Sequence, residues 1–248
     1  MIIGAGIAGL VFGIRMRRRG HQVTIHERAE GIPLHGNAFM VHGEGLEMLR
    51  SLGDTNLLPG QMIDRFIMMR PNGEVIRQLD MDPWQCVKRS DLIRFLVPLF
   101  GEDNIHFGSP LSHFNYEEGK AVSAVFEDGR VELGDIFVGA DGRLSKVRET
   151  IFGETSFSDV EVNEILGLVR DPALISEAPS VFHKYQDGER GLSFGFIPYS
   201  SDELIWYIQY DVRLWPTPFE TKDDIKQASF GLLQAFPDSV KAVIEKTD

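Results

Sequence analysis

Three glycines at positions 4, 6 and 9 open the chain as MIIGAGIAGL, in the order Gly-x-Gly-x-x-Gly. That spacing suits a backbone that wraps a pyrophosphate. Gly4 permits a tight turn, Gly6 lets the backbone approach the phosphates, and Gly9 lets a helix pack closely on a strand. Such a loop works through N–H groups, because the start of the following helix leaves unpaired donors aimed at an anion. Glu27 follows at roughly the 20-residue separation at which an acid meets ribose hydroxyls. The pattern reads as a dinucleotide site, and Glu27-Arg28 alone does not separate NAD from FAD. The plain alternative is a glycine-rich turn with a chance acid.

These residues need a strand–turn–helix–strand frame, and the pattern around them supplies one. Met1 to Ile3 form a short apolar strand. Residues 8–19 read as a helix with Ile7, Leu10, Val11 and Ile14 on one face and Gly20 as the stop. Arg15, Arg17, Arg18 and Arg19 complement the negative end of its dipole. Residues 21–26 read as the next strand, 31–39 as a loop, and 44–52 as a helix ended by Gly53. Pro71-Asn72-Gly73 marks a hairpin between strands at 66–69 and 74–79. Residues 89–100 are helical, with Leu92, Leu96 and Leu99 at helical spacing. Residues 109–139 read as an antiparallel meander leading into GADGRLSKVR. Beyond Arg148 come strand-like runs at 165–169, 181–185, 192–197 and 204–210, then a helix capped by Thr221 and a final short helix.

Composition bounds the partners. The 248 residues carry a formal charge of -12 with one cysteine, Cys86. The acidic balance argues against a nucleic-acid surface, which needs clustered cations. One cysteine excludes an internal disulfide framework and fits a reducing compartment. The apolar opening lacks a preceding basic region and is too short and glycine-rich to span a membrane, so the chain reads as cytoplasmic with no membrane span. The seven histidines show no metal-ligand spacing, so no metal site is assigned. Gly191-Leu192-Ser193-Phe194-Gly195 matches a nucleophile elbow, but that motif needs a helix after the turn and a later histidine, and no histidine follows His183. His35 and His42 sit in or beside the loop that follows the second strand. Phe194, Phe196, Trp206, Tyr207 and Tyr210 could cup an aromatic substrate or simply pack a sheet.

Three segments, in order, resemble the FAD-dependent aromatic hydroxylases of the para-hydroxybenzoate hydroxylase type. They are GAGIAG with Glu27-Arg28, then Lys88-Arg89-Ser90-Asp91-Leu92 opening a helix, then the run from Gly139 to Arg148. The last is the more specific fingerprint, and the resemblance covers essentially the whole chain. It implies an α/β (mixed α+β) fold: a Rossmann-like FAD-binding domain of the glutathione-reductase type with an antiparallel β-meander, plus a substrate domain on a mainly antiparallel sheet. The domains would comprise residues 1–62 and 89–155 for FAD, and 63–88 and 156–248 for the substrate sheet.

The resemblance also implies roles. Gly4, Gly6, Ile7, Ala8 and Gly9 would wrap the FAD pyrophosphate, and Glu27 would bind the adenosine ribose with Arg28 on the adenine side. Arg89 would reach the phosphates or flavin edge, Leu111 would offer backbone to adenine, and Asp141 would stand near the pyrophosphate and the path of NADPH or NADH. A surface ion pair at Arg89 and a simple Asp141-Gly142 turn are the plain alternatives. With no second Gly-x-Gly-x-x-Gly, the nicotinamide donor would dock transiently. The implied activity is NAD(P)H- and O2-dependent hydroxylation or epoxidation of a small aromatic or polycyclic substrate through a flavin hydroperoxide, with no side chain nominated as acid or base. Alternatives are another oxidoreductase on this fold, geranylgeranyl-reductase-like or halogenase-like, or an inert FAD-binding fragment. The family's later Gly-Asp segment has no counterpart before Asp248. The expectation is therefore that this chain alone holds FAD weakly.

Overall fold

The computed structural model describes residues 1–32, 38–153, 156–216 and 221–247. In chain order, the first part holds β1 (Ile2–Ile3), α1 (Ile7–Arg18), β2 (Ile25–His26), β3 (Ala38–Val41), α2 (Gly43–Leu52), β4 (Gln61–Met69) and β5 (Val75–Lys88). Next come α3 (Arg89–Phe100), β6 (Ile105–His106), β7 (Leu111–Glu117), β8 (Lys120–Phe126), β9 (Val131–Leu133), β10 (Val138–Gly139) and α4 (Lys146–Phe152). The chain continues with β11 (Val162–Arg170), α5 (Pro172–Glu177), β12 (Val181–Asp187), β13 (Leu192–Pro198), β14 (Glu203–Asp211), α6 (Lys222–Leu232) and α7 (Asp238–Glu245).

The chain divides into two compact units. The first comprises residues 1–36, 48–58 and 89–157, within the described residues. Its centre is a sheet in the order β10-β1-β2-β6, with every pair parallel. The three-stranded meander β7-β8-β9 forms a separate antiparallel sheet, as the run from 109 onward predicts, but its last segment does not stay there. Val138–Gly139 leaves the meander and pairs with β1 instead. Buried Leu10 and Ile14 anchor α1, and Gly13 lies so close to Phe100 of α3 that a β-carbon would meet that ring at 2.8 Å. The arginines ending α1 do more than offset its dipole. Arg17 lies over the Phe100 ring, and Arg18 donates to the carbonyls of Ser51 and Leu52, satisfying the open end of α2.

The second unit comprises residues 37–47, 59–88 and 158–248, again within the described residues. Residues 37–47 and 59–62, grouped with the first domain on sequence grounds, pack here because β3 pairs with the end of β5 and β4 begins at Gln61. One mixed seven-stranded sheet runs β11-β14-β13-β12-β4-β5-β3, with only β12 and β4 parallel. One of its faces is a core of Phe194, Phe196, Trp206, Ile208 and Tyr210 covered by Leu233, Phe236 and Val243 from the C-terminal helices. Four of the five aromatics that could have cupped a substrate are therefore buried packing; only Tyr207 is out of phase with them. The capping box at Thr221 and Asp224 starts α6 where expected. Residues 191–195 enter a fully buried strand, not a strand–turn–helix elbow, so Ser193 is no nucleophile. Among the described residues, no helix is long and apolar enough to cross a membrane.

Candidate nucleotide-binding site

Strand ends build the site. Gly4 donates to the His26 carbonyl at 2.7 Å and Ala140 donates to the Ile3 carbonyl at 2.7 Å, so the turns after β1 and β10 start side by side. Glu27 donates through its backbone to His106, and Ser109 donates back to the Glu27 carbonyl, which brings the loop after β6 to the same edge. The C-terminal edge of a parallel sheet is where such folds hold ligands.

The glycine turn is forced by its surroundings. Gly4 has φ +107°, a conformation that other residues rarely adopt, and a β-carbon there would strike the carbonyl of Ala140. A β-carbon on Gly9 would overlap the Gly4 carbonyl oxygen. Helix α1 can therefore begin directly against the turn only because both positions lack side chains. Its N-cap is Gly6, which gives no side-chain hydrogen bond, and its first turn carries no acid. The N–H groups there have no intrahelical acceptor by helix geometry, so the positive end of the dipole stays open. Ile7 and Ala8 belong to this first turn.

A cleft of about 600 Å³ opens at this edge. It is lined by Gly4, Gly6, Glu27, Arg28, Arg89, Leu111 and Asp141 among others. Seven of the ten residues singled out from sequence therefore share one wall, while Ile7, Ala8 and Gly9 form the helix start beside it. The Glu27 carboxylate accepts from the Ala5 N–H at 2.7 Å and from the Ala29 N–H at 2.9 Å. Each oxygen retains a lone pair for a further donor. Arg89, the first residue of α3, brings its Nη2 within 3.8 Å of where a β-carbon on Gly6 would stand. Leu111 is buried at the start of β7. Asp141 accepts from Ser145 Oγ at 2.6 Å and from the Val147 N–H at 3.0 Å, so it ties the bend to the start of α4. His42 lies outside this group, in the second unit with its ring 6.1 Å from that of Trp84; His35 lies outside the described residues.

Two cations of the wall were not singled out from sequence. Arg143 and Lys146 lie within the same GADGRLSKVR run and line the cleft beside Asp141. Their position two and five residues past the aspartate was the available signal. Lys146 pairs with Glu149 at 2.8 Å, and Arg143 lies over the Phe157 ring. With Arg28 and Arg89 they put four cations on the lining of the cleft, beside the carboxylates of Glu27, Glu127 and Asp141, in a chain of net charge -12. Beneath the Glu27 end, the fully buried His26 ring stacks on His106 at 4.7 Å and on Phe126 at 4.5 Å. Burial first, then the charges of His106, Arg130 and the chain N-terminus, hold His26 down at a pKa of about 3. Its Nε2 lies 3.2 Å from the Glu132 carboxylate, which pulls the other way; burial of the ring is the larger effect.

An open helix start, a glycine turn without room for side chains, an acid with spare lone pairs and four lining cations fit the diphosphate and ribose of a dinucleotide. Residues 1–234 match the family described as "FAD binding domain". This chain belongs to that family. FAD-binding-domain membership settles the cofactor that Glu27-Arg28 left open: it is FAD, not NAD. The chain is 29% identical over 226 residues to the aurachin C monooxygenase/isomerase of Stigmatella aurantiaca, covering 84% of this chain and 55% of the relative. It is 28% identical over 165 residues to an FAD-dependent urate hydroxylase of Mycolicibacterium vanbaalenii, covering 62% of this chain and 42% of that one. It thus spans about half the length of these relatives. The fold superposes on Klebsiella pneumoniae HpxO, solved with FAD and uric acid, with a TM-score of 0.83 at 22% identity, covering 99% of this chain and 64% of that one.

Proposed function

We propose that this FAD-binding chain supplies the cofactor unit and the substrate sheet of a monooxygenase. The enzyme takes electrons from NADPH or NADH and uses O2 to hydroxylate or epoxidise a small aromatic or polycyclic compound. The observation that carries the reading is the convergence of Gly4, Gly6, Glu27, Arg89 and Asp141 on one cleft at the open end of α1. When bound, FAD accepts hydride and activates oxygen, chemistry that side chains do not supply. The protein's part is to hold and orient it. The N–H groups of Gly6, Ile7, Ala8 and Gly9 face the diphosphate, Glu27 accepts from the ribose hydroxyls, Arg28 and Arg89 offset the phosphate charge, and the Leu111 backbone meets adenine. Asp141 keeps the bend beside the pyrophosphate in shape, leaving Arg143 and Lys146 to meet the docking nicotinamide donor. Two relatives, by name a monooxygenase/isomerase and a urate hydroxylase, support oxygen transfer to a ring system. The single thiol, Cys86, is buried and free, with burial pushing its pKa to about 12, which suits a reducing cytoplasm.

The test is a coupled measurement on purified, FAD-loaded protein: NADPH oxidation and O2 uptake with and without aromatic candidates, under 18O2. The expected result is substrate-stimulated consumption with one labelled oxygen in the product. Stimulated NADPH oxidation that leaves every product unlabelled would instead mark a reductase on the same fold.

A further inference from the structure

Three carboxylates line the nucleotide cleft. Glu27 and Asp141 accept hydrogen bonds there, whereas the Glu127 carboxylate has no partner among the described residues. Glu127 stands in the turn between β8 and β9, and backbone bonds fix its place along the wall. The Ser109 N–H donates to the Glu27 carbonyl at 2.8 Å, so the loop after β6 runs on from the ribose acid. The Glu127 N–H donates to the Pro110 carbonyl at 3.0 Å, and the Arg130 guanidinium donates to Ser109 Oγ at 2.7 Å. Both ends of the β8–β9 turn are thereby tied to that loop. The order along the wall is Glu27, Ser109, then Pro110 with Glu127. Glu127 therefore lies past the ribose acid, where the base of the nucleotide belongs.

Most polar groups at this end are already used. Pro110 brings no N–H, and its carbonyl is taken by Glu127. The Ser109 hydroxyl donates to the Phe107 carbonyl at 3.1 Å while it accepts from Arg130. Arg130 itself pairs with Asp128 and Glu132, which leaves Glu127 unmatched. Phe107, Pro110 and Leu111 line the cleft with apolar surface suited to the faces of a flat base. An acid on a wall that meets a diphosphate repels its ligand unless the ligand brings a donor to it. The 6-amino group of adenine is such a donor; guanine and hypoxanthine carry an oxygen acceptor at the same position.

We infer that Glu127 selects the base in this cleft: its carboxylate accepts from the 6-amino group of the FAD adenine and turns away 6-oxo purines. Glu127 is exposed, so solvent screens the contact and its effect is several-fold. The inference rests on the FAD reading above and adds to it the residue that chooses the base.

The test titrates ADP or IDP, which differ only in the purine, into purified FAD-loaded protein and reads FAD release as recovered flavin fluorescence. Each nucleotide's affinity is taken after correction for the FAD affinity of the same variant. ADP is expected to bind roughly five-fold or more tightly than IDP, the size of one screened, charge-assisted hydrogen bond. Glu127→Gln, whose amide can donate to the 6-oxo group, should shrink that ratio by tightening IDP. Such a gain is one that a misfolded variant could not produce. Glu127→Ala should shrink the ratio by weakening ADP. Equal binding of ADP and IDP by the wild type, or an unchanged ratio in either variant, overturns the inference. Wild-type protein that takes up no FAD, or in which neither nucleotide competes with it, would instead fail the functional reading.

Discussion

A β-carbon at Gly9 would run into the carbonyl oxygen of Gly4, so Gly9→Ala must push the helix away from the turn or distort the turn itself. Either displaces the N–H donors of α1 from the diphosphate. The expected outcome is FAD affinity lower by about ten-fold or more, read by quenching of flavin fluorescence, since one charge-assisted hydrogen bond alone is worth about that much. Glu27→Gln is a different lesion. Its carboxylate already receives the Ala5 and Ala29 N–H groups, and an amide nitrogen in place of either oxygen would face a donor with a donor. FAD should bind roughly ten-fold more weakly, and the FAD-free protein should also melt earlier, because the contact exists without the cofactor. An unchanged melting temperature would show that Glu27 does not hold the turn. The glycines and Glu27 were legible from spacing because their constraint is local. Arg143 and Lys146 were harder: a cation in a short motif shows which wall it joins only once the bend after β10 is placed.

Elements were legible where one face repeats. Helix α3 spans the predicted residues, since Leu92 and Leu96 recur at helical period and the strand ends at Lys88. The two-residue strands β1 and β2 and the short β3 carry too few residues for a period, and their identity comes from partners far along the chain. Alternation in β14 likewise shows that two faces exist without saying which is covered, and for that reason Trp206 and Tyr207 looked alike in sequence. The cover depends on α7, whose end is pinned by Lys246 to the nine-tenths buried Asp171 carboxylate at 2.6 Å and by Trp206 Nε1 to Thr247 at 2.8 Å. Lys246→Met leaves that carboxylate with only the Leu174 N–H and, because the lysine is half exposed, should cost about 1 kcal/mol in urea unfolding at neutral pH. A loss below a few tenths would mean that α7 is held by its apolar face alone.

For the whole molecule, the prediction is a pH dependence of stability rooted in His26. The folded protein holds this ring near pKa 3, against an ordinary value near 6.5 in the unfolded chain. Below about pH 6.5 the unfolded state binds a proton that the folded state refuses, so stability falls as the pH drops from there towards 3. Between pH 6.5 and 5 the share from this one group is up to about 2 kcal/mol. His26→Phe, which can keep the stack on Phe126, should flatten that part of the curve; an unaltered slope would assign the acid sensitivity elsewhere. The mixed α/β architecture with antiparallel sheets was legible in outline from interleaved helices followed by strands. Sheet order was not, because Val138–Gly139 joins β1 from across most of the first unit and β12 joins β4 in parallel. The account as a whole depends on the grip of the α1 turn on an adenosine diphosphate moiety. Calorimetric titration of the purified protein with FAD, FMN and riboflavin, repeated with ADP as competitor, measures that grip directly. The predicted result is that FAD binds far more tightly than FMN or riboflavin and that ADP displaces it; riboflavin binding as tightly as FAD, with ADP inert, would contradict it.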